Sequence, residues 1–268
     1  MAERNWRPTP FLLASAGLHA AALATAIATP RHWRAAAAAV VANHLVIGTI
    51  GVLPRSTLLG PNIMRLPTAP STNALALTFD DGPDPSLTPR ILDMLDEAGA
   101  RATFFCIGER VDAHPGLVAD IRDRGHGVEN HSYSHPSLFS MLGPRSMQRE
   151  VIRTQESIHR HSGRRPQFFR APAGVQSPWL AAVLAAADLS LVSWTRRGFD
   201  AVSRDANRIA TRLTTNLRAG DILLLHDGKA GGTVDQPAVV VSALRTVLQE
   251  MQRKGLYSEP LHSITWGN

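Results

Sequence analysis

Residues 75–84 read LALTFDDGPD, and the fold turns on how this stretch is read. An apolar run of strand length, Leu75 to Phe79, ends in two adjacent acids, Asp80 and Asp81. Gly82-Pro83 then breaks the extended path, since a Gly-Pro step marks a turn. An apolar run bounded in this way reads as a buried strand that carries carboxylates to its tip. A turn in which Asx side chains bond the local backbone would also explain the two acids. What they face decides between the readings.

Downstream of Ala74, short apolar runs alternate with longer helix-like stretches. The pattern predicts strands at 74–79, 103–107, 127–130, 167–170, 189–193 and 221–225, with a poorer one near Leu256. Helices are predicted at 88–98, 115–124, 144–161, 205–217 and 236–254, with Pro89 and Pro144 where a first helical turn accepts proline. Repeated βα units imply a parallel sheet, and so many of them in residues 74–268 favour a barrel over an open sheet. Barrel chemistry gathers on the loops after the strands. The polar exceptions fall there repeatedly: Asp80 and Asp81, His131 and His135, Arg170, Trp194 and His226.

His131 and His135 stand four apart in ENHSYSHPSL. On a helical turn that spacing puts both imidazoles on one face, but Pro136 disfavours helix at His135, so a loop is equally open. Two neutral imidazoles and one carboxylate make a three-ligand metal site with room left for water. Adjacent strand-end acids point to different faces, so one can bind metal while the other takes a proton from water. In FFRAPAG, Arg170 follows two phenylalanines, and a guanidinium buried there needs an anion such as a strand-tip carboxylate. In GDILLLHDG, alternation puts Leu224 on the same face as His226. There His226 is placed to protonate a leaving group, with Leu224 against a small acyl methyl.

Cys106, the one cysteine, excludes an intramolecular disulfide and a thiolate zinc cluster, and lies in the apolar run ATFFCIG as a core residue. The net charge of +6 comes almost wholly from arginine. Those arginines are scattered, without basic runs or interleaved aromatics, so nucleic acid is not an expected partner. Nor does the sequence imply an obligate protein partner.

Residues 1–60 form a distinct hydrophobic segment, with 61–73 as a linker and 74–268 as the main domain. The stretches 11–29 and 35–53 carry no charge, and at about 1.5 Å per residue each nearly crosses a hydrocarbon core of about 30 Å. With PRHWR between them they read as a membrane hairpin, so residues 11–53 imply membrane association. A signal peptide is the competing reading: Arg4 and Arg7 give the positive start, and small residues near Ala24–Ala28 a cleavage site. Arg31 and Arg34 favour a cytoplasmic connector, which places the main domain outside the cytoplasm at the cell membrane.

TFDDGPD, HSYSH, RAP and LLLH, in this order, resemble the polysaccharide deacetylases of carbohydrate esterase family 4, the NodB-like domain. The resemblance runs from about Ala74 to the C-terminus. It implies a distorted (β/α)7 barrel, here behind a hydrophobic N-terminal helical hairpin. The implied reaction is metal-dependent hydrolysis of acetyl groups, most often N-acetyl, on a cell-envelope or extracellular glycan. By resemblance, Asp80 is the catalytic base and Asp81, His131 and His135 are the ligands of a divalent metal, Zn2+ first and Co2+ next. Arg170 pairs with the base, His226 is the general acid, and Asp200 orients it, with Asp205 close by. Leu224 lines the acetyl pocket, and Pro172 and Trp194 belong to the substrate site. Where the family often has an aromatic after the proline of RxP, this chain has Ala173, so Trp194 or Trp179 is expected to supply that wall. A deformylase or deacetylase of a lipid-linked sugar and a non-catalytic glycan-binding module are the alternatives.

Overall fold

The computed structural model describes residues 6–67, 73–228 and 238–266. Two helices, α1 (Pro10–Ala28) and α2 (Trp33–Gly51), form an antiparallel hairpin around a short 3-10 turn at Pro30–His32. Pro10 opens α1 where its missing N–H costs nothing, and the Thr9 hydroxyl accepts from Leu12 N at 3.3 Å. The hairpin buries little: Ser15 in α1, and Ala36, Ile50 and Gly51 in α2. Leu13, Leu23, Ile27, Val41 and Leu45 stay exposed, so apolar surface faces outward all round.

Beyond it the strands are β1 (Ala74–Asp80), β2 (Ala102–Cys106), β3 (Gly127–Asn130), β4 (Phe168–Phe169), β5 (Ser190–Leu191), β6 (Arg196–Arg197), β7 (Ile222–His226) and β8 (Tyr257–Ser258). Helices α3 (Thr88–Glu97), α4 (Gly108–Ala113), α5 (Pro115–Asp123), α6 (Pro144–Ser162), α7 (Leu180–Ala186), α8 (Ala206–Thr214) and α9 (Val239–Arg253) intervene. Every strand pairing is parallel, in the order β5-β4-β3-β2-β1-β7-β6, with β8 beside β1. This curled path of seven strands, behind an apolar two-helix hairpin, is the expected architecture.

Three elements were not anticipated. Strand β6 is an Arg-Arg pair without apolar character; α4 is one Gly-led turn and a half; α7 is an Ala-Leu run with no polar face to show helical period. The first residues of the helix expected at 236–254 lie outside the described residues, and α9 is seen from Val239.

Alternation sorts the strands into two faces. Leu75, Leu77, Phe79, Phe104, Leu223 and Leu225 point outward and pack against α3, α5, α8 and α9. Ala76, Phe105, Ile222 and Leu224 point inward with Phe168, Val192 and Trp194. Asp80 stands on the inward face of β1, level with Phe105 on β2 and His226 on β7. Only a partner at the barrel mouth makes an inward carboxylate tolerable.

The chain between hairpin and barrel is packed where it is described. Gln176 N donates to Gly51 O at 2.9 Å, and the Ser193 hydroxyl donates to Pro54 O at 2.5 Å. Ile63 forms a parallel bridge with Val192, and Arg65 pairs with Asp221 at 2.7 Å. Within the expected linker 61–73, residues 68–72 lie outside the described residues.

Candidate active site

Strand β1 ends at Asp80, and Asp81 takes a left-handed backbone, φ 74°. A strand continued by one residue would turn Asp81 away; the positive φ swings its carboxylate back toward the cleft. Asp tolerates this region better than most residues do. Two glycines make the approach possible. A Cβ on Gly82 would stand 2.1 Å from Asp227 Oδ2, and one on Gly228 would stand 2.0 Å from Asp81 O. Asp84, the third acid, is spent locally: its Oδ1 accepts from Ser86 N and Leu87 N at 2.9 and 3.1 Å, at the start of α3.

Arg170, 1% exposed, sits at the end of β4 with its guanidinium inside the barrel. One nitrogen, Nη1, donates to Asp80 Oδ1 at 2.7 Å and to Thr78 Oγ1 at 2.8 Å. Its other donors reach Val192 O and Ser193 O, and the group lies over the Phe105 ring at 4.1 Å. Burial depresses the Arg170 pKa, and Asp80 works in the opposite direction. Removing either partner of such a buried pair strands the other charge, a loss of about 3–5 kcal/mol. The pair holds Asp80 in one rotamer with one oxygen left to act.

His131 and His135 lie on a loop, not a helical turn, with Ser132 and His135 at positive φ of 64° and 49°. The loop is pinned from behind. Glu150 accepts from Tyr133 N and Ser134 N at 2.9 and 2.8 Å, Tyr133 donates its hydroxyl to Asp112 at 2.9 Å, and Asn130 Oδ1 accepts from Ser132 N. His131 Nδ1–H donates to Arg170 O at 2.8 Å, which leaves Nε2 to face Asp81 Oδ1 at 3.4 Å. From the other side His135 Nε2 approaches the same oxygen at 3.2 Å.

Among the described residues, Asp81, His131 and His135 form the one group of three whose ligand atoms all lie within 4.8 Å of one another. Burial raises the Asp81 pKa, yet the hydrogen bond and charge of His131, with His135, outweigh it and hold the carboxyl well below the usual range. An ionised carboxylate, two imidazole Nε2 atoms and a backbone carbonyl fixing one tautomer fit a divalent cation.

Across the mouth, His226 Nδ1 bonds Asp200 Oδ1 at 2.9 Å while Asp200 Oδ2 accepts from His226 N at 2.8 Å. Burial lowers the His226 pKa, but Asp200 reverses this and the net shift is upward. Asp205, the neighbouring acid, caps α8 by accepting from Arg208 N. Leu224, on β7 two residues before His226, and Pro172, two residues after Arg170, are both buried. Trp194 is buried too, 6% exposed, under Gly174 of the loop after Arg170, whereas Trp179 lies at the surface.

Sequence reasoning did not single out Asp227, Thr78 or Glu150. Asp227 is buried beside the two acids, bonded to Thr88 through Oδ2 with Oδ1 unpartnered, and burial, with Asp81 and Asp80, pushes its pKa up to about 7. The DG after LLLH was a usable signal for Asp227. For Glu150, inside a polar helix, there was none.

The polysaccharide deacetylase family model matches residues 68–192. The chain is 34% identical over 200 residues to a chitooligosaccharide deacetylase of Bradyrhizobium sp. (strain ANU 289), covering 71% of this chain and 90% of that protein. It is 34% identical over 179 residues to a peptidoglycan-N-acetylglucosamine deacetylase of Bacillus cereus, covering 64% of this chain and 63% of that protein's length. Among solved structures, the Bc1960 peptidoglycan N-acetylglucosamine deacetylase superposes with a TM-score of 0.68 at 30% identity, over 76% of this chain and 92% of that one. A family 4 carbohydrate esterase from Streptomyces lividans, solved with acetate, superposes with a TM-score of 0.63 at 34% identity, over 69% and 91% of the two chains.

Proposed function

The chain belongs to the polysaccharide deacetylase family, and from that premise we propose that it is a metal-dependent hydrolase removing acetyl groups, N-acetyl foremost, from a cell-envelope or extracellular glycan. One observation carries the reading: Asp81, His131 and His135 converge beside a second carboxylate, Asp80, that is held by Arg170.

Asp81, His131 and His135 would hold a divalent cation, Zn2+ in this proposal, which would supply Lewis-acid polarisation of the acyl carbonyl and a lowered pKa for water. Asp80 takes the proton of the attacking water through the oxygen that Arg170 leaves free. Arg170 holds the other oxygen at 2.7 Å and stops the carboxylate rotating away. As the C–N bond breaks, His226 delivers a proton from Nε2 to the departing amine, because Asp200 holds Nδ1–H and supports the charged ring. Leu224 packs against the acetyl methyl, and Pro172 lines the approach.

The hairpin is the proposed membrane anchor. Both helices are long and apolar enough to cross. Arg31 and Arg34 in the connector favour its cytoplasmic placement, which puts the barrel on the outer side. Acetate release from N-acetylated and O-acetylated glycans, with and without chelator, tests the function. Chelator-sensitive release is expected, and glycan binding without any release would overturn it.

A further inference from the structure

Two independent features share the face that carries the site. The first is the seat of the hairpin. Gly51, the last residue of α2, accepts its hydrogen bond from Gln176, on the loop that leaves β4 directly after Arg170. A Cβ on Gly51 would stand 2.7 Å from Gln176 O, so helix end and loop meet with no side chain between them. Pro54 O takes the hydroxyl of Ser193, whose own carbonyl holds the Arg170 guanidinium. The start of the other helix is tied to the same segment, through Thr9 Oγ1 donating to Leu58 O at 2.6 Å. The end of the membrane helix thus abuts the catalytic loops and not the far end of the barrel.

The second feature is where apolar side chains stay in the open. Past residue 60, the exposed large apolar side chains among the described residues are Leu138, Met141, Trp179, Phe199, Val202 and Tyr257. All but Tyr257 lie on loops leaving strand ends: β3 to α6, β4 to α7, and β6 to α8. Met141 and Val202 are 78% and 79% exposed. An apolar rim gathered on one face marks an interaction surface. Its occupant follows from continuity: exposed Val52 and Leu53 carry the apolar surface of α2 onward to the β4–α7 loop, where Gln176 and Trp179 stand. Tryptophan with flanking aliphatics is the composition of a bilayer interface.

We infer that the catalytic face of the barrel lies on the bilayer that holds the hairpin, and that its substrate is an acetylated sugar carried on a membrane lipid. The inference rests on the deacetylase and anchor readings above. A mouth turned toward the membrane meets a sugar headgroup at fixed depth, while a polymer in bulk water must enter along the membrane plane.

The test uses the full chain in phosphatidylethanolamine–phosphatidylglycerol vesicles. Nitroxide labels are placed at M141C and V202C, with V41C in α2 and Q252C on α9 as references; native Cys106 is buried and stays unlabelled. Oxygen against nickel accessibility is expected to read V41C as deep, M141C and V202C as interfacial, and Q252C as aqueous. M141C and V202C reading like Q252C would overturn the apposition, and an aqueous V41C would overturn the anchor along with it. The second arm compares acetate release from N-acetylglucosamine linked to a dialkylglycerol in the vesicles with release from its water-soluble glycoside. The anchored form is expected to react at least tenfold faster, and the M141E/V202E double variant to lower that ratio about tenfold. Equal rates, a preference for soluble polymer, or an equal loss on both substrates would overturn the substrate class; the last would mark the rim as sugar contacts. No release from any substrate would instead overturn the deacetylase reading, with the depth profile still reporting on the apposition.

Discussion

In the hairpin, His19 and His44 stand with ring centroids 5.1 Å apart; at the barrel mouth, His131 and His135 stand at 5.0 Å. The first pair meets in a 3.2 Å Nε2–Nε2 hydrogen bond, with His19 Nδ1 donating to Ser15 O. Among the described residues no carboxylate is bonded to either ring. In the second pair both Nε2 atoms point at Asp81, and Arg170 O sets the tautomer of His131. Proximity of imidazoles is common to both. An interposed ionised carboxylate and an orienting carbonyl are what separate a cation site from an interhelical contact.

The comparison breaks most visibly at the barrel pair. His131→Ala is expected to abolish both metal binding, measured by elemental analysis, and acetate release. Asp80→Asn should retain the metal while turnover falls about 10²–10⁴-fold, the usual range for a general base. Near-native turnover in Asp80→Asn would exclude it as the base. Next comes removal of the ion from the intact protein: a chelator should silence the enzyme and added Zn2+ restore it. His19→Ala should leave the bound-metal stoichiometry untouched, and a change there would make the hairpin pair a second site.

A smaller effect is expected across the mouth. Burial lowers the His226 pKa and Asp200 raises it, so in Asp200→Asn the ring loses its proton at lower pH than in the parent. The acid form is then depleted sooner as pH rises, and the alkaline limb of the kcat profile should move to lower pH. A limb that stays in place would show that His226 is not the proton donor. The smallest change is His19→Leu, which removes one interhelical hydrogen bond. A loss of about 0.6 kcal/mol is expected in detergent unfolding, with no effect on turnover.

Much of this site was legible because local order carries it. The strand-tip acids, the paired histidines, the arginine after two phenylalanines and the histidine ending an apolar run each stand where a βα unit turns over. What escaped was the support. Glu150 and Asp112 hold the histidine loop from α6 and α4, and nothing in their own neighbourhoods marks them. Asp200 and Asp205 looked alike in sequence, and only geometry separates the histidine partner from the helix cap. Trp194 stood at the right strand end but lies buried under Gly174, since strand position says nothing of depth.

The sequence by itself determined the periodicity of the barrel, the apolar hairpin and the chemical types brought to the strand ends, because these depend on residues close along the chain. Only the tertiary structure decided which way those groups point and what stands behind them. Asp81 faces the histidines through a left-handed φ that two glycines make room for, Arg170 finds Asp80 from 90 positions away, and Gly51 seats the hairpin on the loop that follows Arg170. Each depends on a close approach of distant chain segments, and close approach is set by packing, not by covalent order.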